Sequence, residues 1–253
     1  MISIKNLSVK YNKKTILSNL NLDVSKGEII CIVGVNGCGK TTLLKAISHL
    51  VDYSGEIFFE NEDLKQMSRK DLAKKIALLS QMNNSTFSYN VEQIVSMGRY
   101  AHHKNSFFTK SSSLDTKIVE NCMKKTEIFN IRHQNISSLS GGQLQRTMLA
   151  SIFAQNPNVI LLDEPTNHLD FHFQIELINL VKQWVLEENR CAIAVLHDIN
   201  LALNFADKIA LIDKGEIIYI SNTENFDFSK LNEIYQSDIQ DFMINSLEKW
   251  VKK

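Results

Sequence analysis

The sequence holds only two prolines in 253 residues, Pro157 and Pro165, and together they bracket one short segment, NVILLDE. No apolar stretch reaches the roughly 18 uninterrupted residues that a bilayer-crossing helix needs, so nothing in the sequence spans a membrane unaided. Basic residues (28) do not outnumber acidic ones (28), so the positive excess typical of nucleic-acid binders is missing and no nucleic-acid partner is expected. The four cysteines, Cys31, Cys38, Cys122 and Cys191, form no C-x-x-C pair and indicate neither zinc nor a disulfide framework. The opening MISIKNLSVKYNKK alternates like a strand and lacks the continuous apolar core of a secretion signal. A cytosolic protein is expected.

What is present is the composition of an ordinary globule, 44% hydrophobic and 22% charged. Alternation predicts strands over 2–9 and 16–24, joined near YNKK. IICIV (29–33) reads as a short buried strand, followed by a glycine-rich loop and a helix from about Lys40 to Leu50. Further strands are predicted at 54–60 and 76–80, with a short capped helix between them opened by Ser68 and Asp71. From 86 to 155 strand runs disappear and helical spacing takes over, interrupted by a polar connector, KNSFFTKSSS (104–113). VILLD (159–163), a helix over 171–188, the strand CAIAVL (191–196) and a hairpin turning at Lys214-Gly215 then resume the strand–helix alternation. This predicts a single α/β domain: a core from 1–85 and 156–225, an inserted helical subdomain at 86–155, and a helical tail at 226–253.

The glycine loop GVNGCGKTT (34–42) matches G-x-x-x-x-G-K-[ST], with the required strand before it and helix after it. Gly34, Gly37 and Gly39 allow backbone conformations closed to other residues, so successive N–H groups, those of Asn36 and Cys38 included, can converge on phosphate oxygens. The helix start adds about half a positive charge. Lys40 is placed to reach the β- and γ-phosphates, Thr41 to hold Mg²⁺ and Thr42 to donate to the α-phosphate. Such a loop needs a carboxylate partner, and VILLDEP supplies Asp163 as a Mg²⁺ ligand. Glu164, the next residue, would point differently on an extended strand end and serve as general base toward an attacking water.

Residues 139–143 read LSGGQ, within SLSGGQLQR. With this segment between the glycine loop and the carboxylate strand, the chain resembles the ATP-binding cassette family from Tyr11 to about Asp238. The resemblance implies a P-loop NTPase core with an N-terminal antiparallel β-subdomain and an inserted α-helical subdomain. It implies that Tyr11 stacks on adenine, and that Gln81 touches Mg²⁺ and the attacking water. It further implies that Ser140, Gly141, Gly142 and Gln143 bind the nucleotide of an opposite subunit, that Asp170 crosses the dimer interface, and that His197 contacts the γ-phosphate. Read from the residues alone, Ser140 and Asp170 could equally be helix N-caps. In such a family two copies meet head to tail around two ATP molecules.

VEQIVSMGRYAHH after Gln81, NHLD after the carboxylates and VLHDINLA around His197 resemble the ATPase subunits of importers for ferric siderophores, haem and cobalamin. That resemblance implies integral-membrane permease subunits as partners, an extracytoplasmic binding protein as an indirect one, and a place on the cytoplasmic face of the membrane. The permease contact is expected near Gln81 and 86–108, with Arg99 needed for transport but not for basal ATPase. An exporter component is an alternative, and a non-transport machine another, although such machines usually carry two cassettes or long coiled coils. Val35, Cys38 and Ala101 depart from residues common in the family. At a helix N-terminus Cys38 could be a redox-sensitive thiol, or simply a small residue tolerated in the loop.

Overall fold

The structure, a computed structural model, describes residues 1–80, 88–103, 112–167 and 169–251. Two sheets organise it. Strands β1 (Ile2–Tyr11) and β2 (Lys14–Val24) form the expected hairpin, and β4 (Ser54–Phe59) pairs antiparallel on the other side of β1, with the two-residue β5 (Glu62–Asp63) at the edge. The second sheet contains β3 (Ile29–Val33), β6 (Ile76–Leu79), β7 (Val159–Asp163), β8 (Cys191–Val195), β9 (Lys208–Asp213) and β10 (Glu216–Asn222), in the order β10-β9-β3-β8-β7-β6. All neighbours are parallel except the β9–β10 hairpin.

The central strands β3, β7 and β8 are buried at every position, as parallel strands covered on both faces must be. Their side chains alternate between two cores. Ile30, Ile32, Val159, Leu161, Ile193 and Val195 pack with the antiparallel sheet and α1 (Lys40–Ile47). Ile29, Cys31, Val33, Ile160, Leu162 and Ala194 pack on the opposite face with α5 (Gly141–Gln155), α6 (Phe171–Glu187) and α7 (Ile199–Phe205). The two faces thus hold α1 and α6 in fixed register to the strand ends that carry the motifs.

The inserted region has its own small core of Val91, Val95, Val119, Met123, Ile128, Ala150 and Ala154. It comprises α3 (Val91–Met97), α4 (Ser113–Lys125) and the middle of α5. Residues 104–111 of the expected connector lie outside the described residues, while Ser112 caps α4 and Ser113 opens it. After α2 (Arg69–Lys75) and α7, the chain closes with α8 (Ser229–Tyr235) and α9 (Ile239–Val251). Among the described residues no helix is long and apolar enough to cross a membrane.

Arg99 lines a cleft on the inserted helices, in the region expected to carry the contact, and it also has a structural duty. It is buried, its Nε donates to Asp115 Oδ1 on α4 at 2.8 Å, and its Nη1 donates to the Ala154 carbonyl of α5 at 2.7 Å. It therefore holds three helices together. Arg99→Ala strips the half-buried Asp115 of its charged partner and leaves Ser112 Oγ as its remaining side-chain donor, at an expected cost of about 2 kcal/mol in denaturant unfolding. The hydrogen bond from Arg99, then that from Ser112, holds the Asp115 carboxyl below the ordinary aspartate range. A lowered folded value means that this stabilisation is complete above about pH 4 and lost as pH falls through the folded value. Wild-type stability should therefore fall more steeply than that of Arg99→Ala in acid titrations of unfolding.

Candidate active site

The glycine loop leaves β3 and enters α1. A methyl group on Gly34 would lie 2.2 Å from the Ile212 carbonyl oxygen and 3.0 Å from Cys38 Sγ, so only glycine lets this strand end run against β9. Gly37 (φ 80°) and Gly39 (φ 111°) hold left-handed conformations that curl the loop back to the helix start. Asn36 and Gly37 form its exposed rim, and Thr41 and Thr42 lie half-buried in the first turn of α1. Lys40 is buried under the loop, with Nζ donating to the carbonyls of Gly34 at 2.7 Å and Val35 at 3.0 Å. Its ammonium has a third proton to offer.

Cys38 does not have the activated thiol that its place near a helix N-terminus suggested. It is buried, and burial, outweighing the nearby Lys40 charge, pushes the thiol up from its ordinary value. A protonated, enclosed thiol is a poor nucleophile, and the side chain serves as small apolar filling behind Gly34.

Parallel pairing brings the ends of β7 and β8 beside the end of β3. Thr41 Oγ1 donates to Asp163 Oδ1 at 3.0 Å, joining residues 122 positions apart. Burial raises the Asp163 pKa, the Thr41 hydrogen bond opposes that, and the adjacent Glu164 charge adds to it. A hydroxyl and a carboxylate at this spacing suit a hard divalent cation that takes its remaining ligands from phosphates and water. Among the described residues no group of three or more His, Cys, Asp or Glu side chains is gathered so as to hold a metal ion.

Glu164 is not on an extended strand end. Its φ is 53°, a left-handed conformation, with its N–H donating to the Val195 carbonyl at 3.1 Å. The turn aims its carboxylate across to β8, where His197 Nε2 donates to Oε1 at 2.5 Å. Asn167 Nδ2 donates to Oε2, and Asn167 N–H donates to the Glu164 carbonyl at 3.3 Å. Both carboxylate oxygens are thus oriented by neighbours, one by His197 and the other by Asn167. In the sequence Asn167 is marked only by standing in NHLD, shortly after the carboxylates, and no role was expected of it.

The remaining candidates form a second surface. Ser140 and Gln143 make a reciprocal capping box at the start of α5, and Asp170 caps α6 by accepting from Phe173 N–H at 3.0 Å. Ser140, Gly141 and Asp170 are exposed, whereas Gly142 is buried against Phe173. No hydrogen bond among the described residues joins Ser140, Gly141 or Gly142 to the glycine loop of the same chain. Tyr11 is 45% exposed at the tip of the first hairpin, free to present a ring face. Gln81 lies outside the described residues.

Residues 17–167 match the ABC transporter family. The chain is 34% identical over 241 residues to the petrobactin import ATP-binding protein FpuD of Bacillus anthracis, covering 94% of this chain and 88% of the relative. It is 35% identical over 213 residues to the ferric enterobactin transport ATP-binding protein FepC of Escherichia coli K12, covering 84% and 78%. Among solved structures it resembles the ATP-binding cassette MJ0796, a dimer in a post-hydrolysis state bound to ADP and Pi, with a TM-score of 0.78, 28% identity, and coverage of 89% of this chain and all of that one.

Proposed function

The chain belongs to the ABC transporter family, as an ATP-hydrolysing subunit, and from that premise we propose that it powers import of a metal chelate of the ferric siderophore class. The observation that carries the hydrolytic reading is the meeting of three strand ends, where Thr41 touches Asp163 and Glu164 touches His197. Ligands of open parallel sheets bind at such carboxyl ends.

ATP lies with its phosphates in the loop of residues 34–42 and its adenine against Tyr11. Thr42 donates to the α-phosphate, the loop N–H groups to the β- and γ-phosphates, and Lys40 turns its ammonium from the loop carbonyls toward the same oxygens. Thr41 and Asp163 would hold Mg²⁺, which neutralises phosphate charge when bound. Glu164 orients a water in line with the β–γ bridge and accepts its proton. The water oxygen bonds to the γ-phosphorus, the bond to the bridging oxygen breaks, and ADP leaves with that electron pair. His197 fixes the carboxylate and lies beside the γ-phosphate, while Gln81 contributes to the same water and cation. The exposed Ser140–Gly141 edge, with Gly142, Gln143 and Asp170, completes the site of a second copy arranged head to tail. Hydrolysis removes the charge that joins the copies, and the opening motion is passed to a permease.

The permease would dock on the inserted helices at the cytoplasmic face of the membrane, fed by an extracytoplasmic binding protein. A cleft of about 620 Å³ there is lined by Tyr89, Met97 and Tyr100, all well exposed. The test is uptake of ferric siderophores, haem and cobalamin by the source cell carrying wild type, a deletion, or Tyr100→Glu. Deletion should abolish uptake of one cargo class. Tyr100→Glu should cut it about tenfold or more while leaving ATPase of the isolated chain unchanged. Unaltered uptake of all three classes in the deletion would sink the assignment.

A further inference from the structure

Gly142 is buried in the first turn of α5, and a methyl group placed on it would meet three ring atoms of Phe173 at 3.1–3.2 Å. That is tighter than side-chain contacts normally run, so the ring occupies the space the glycine leaves. Phe173 stands in the first turn of α6, where its N–H binds the Asp170 carboxylate at 3.0 Å. Arg146, one turn along α5 from Gly142, lays its guanidinium 5.2 Å from the centroid of the same ring and bonds Glu176 of α6. Gln145 Nε2 adds a bond to the Pro165 carbonyl at 2.9 Å, just past the Glu164 turn. The starts of α5 and α6 are therefore locked side by side, with Phe173 as the wedge between them.

We infer that Phe173 is a positioning residue for ATP hydrolysis: seated in the Gly142 notch, it fixes the exposed Ser140–Gly141 edge relative to Asp170, so that both reach the nucleotide of a second copy as one rigid lip. The inference rests on the head-to-tail reading. It gives Gly142 a duty beyond phosphate contact, which is to leave room for this ring. A rigid lip matters because small misplacements far from the reacting atoms are costly in rate. Ordinary packing alone would stabilise the chain without this effect on turnover.

The test compares kcat and KM for ATP in the full-length chain carrying Phe173→Leu, Phe173→Tyr, Gly142→Ala, and Gly142→Ala with Phe173→Leu. Phe173→Leu is expected to lower kcat about tenfold, while ATP still protects the chain from thermal unfolding as in wild type, because the glycine loop is untouched. Phe173→Tyr keeps wild-type turnover. Gly142→Ala lowers kcat about a hundredfold, and adding Phe173→Leu recovers about tenfold of that loss. Wild-type kcat in Phe173→Leu, or a double variant no faster than Gly142→Ala, overturns the inference. Failure of the head-to-tail reading shows separately, as a wild-type specific activity that does not rise with protein concentration.

Discussion

Glu164→Gln is expected to lower ATP turnover on the order of 10²-fold or more while ATP binding survives. The change is nearly isosteric, so the loop, Lys40 and the Thr41–Asp163 contact have no reason to move. On the proposed mechanism, what is lost is the acceptor for the water's proton. The loss is compounded by the neighbours: His197 Nε2 and Asn167 Nδ2 both point hydrogens at the wild-type carboxylate, and a carboxamide can satisfy only one of them. With hydrolysis stalled, the triphosphate keeps the two copies joined, so size-exclusion chromatography with Mg-ATP should show a dimer that wild type does not accumulate. Phosphate release within severalfold of wild type would remove Glu164 from the mechanism. His197→Ala should cost less, since it leaves the base in place with Asn167 still holding one oxygen.

The left-handed backbone at Glu164 shows where sequence reading ran out. VILLD announced its strand by composition, and the structure places it at 159–163. Nothing in a glutamate signals φ near 53°, because that conformation is imposed by the Val195 carbonyl and the turn to Asn167. The end of α1 is a similar case. The helix was expected to reach Leu50 but stops at Ile47. His49 takes the left-handed conformation there, with Leu50 N–H on the Lys45 carbonyl and His49 N–H on that of Ala46. That is a Schellman ending without its usual glycine, so the stop signal was absent from the sequence. The glycine loop was legible because its chemistry needs unusual backbone that only glycine supplies cheaply. The structural duty of Arg99 was not legible in the sequence, since only the packing of α4 and α5 shows that it is enclosed. Phe173 carried no sign at all, since its meaning depends on a glycine 31 positions earlier in the chain.

Lys40→Ala should have the largest effect on nucleotide binding. In the wild-type chain the Lys40 ammonium lies under the loop, bonded to two of its carbonyls, so it is already largely desolvated at the place proposed for the phosphates. Bringing ATP in requires no further burial of that charge, only a redirection of its donors from neutral carbonyls to phosphate oxygens, which bind it more strongly. Alanine forfeits those charged bonds and leaves the Gly34 and Val35 carbonyls without their donor, so the empty loop also loses some order. A hundredfold loss of affinity corresponds to about 2.7 kcal/mol. At an ATP concentration 100 times the wild-type Kd, binding adds about 2.7 kcal/mol to wild-type stability, but only about 0.4 kcal/mol once the Kd has risen to that concentration. For a chain of this size the wild-type Tm should rise by roughly 5–10 °C and that of the variant by about 1–2 °C. Differential scanning calorimetry with and without Mg-ATP reads this difference, and an undiminished shift in Lys40→Ala would place the phosphates elsewhere than in the loop of residues 34–42.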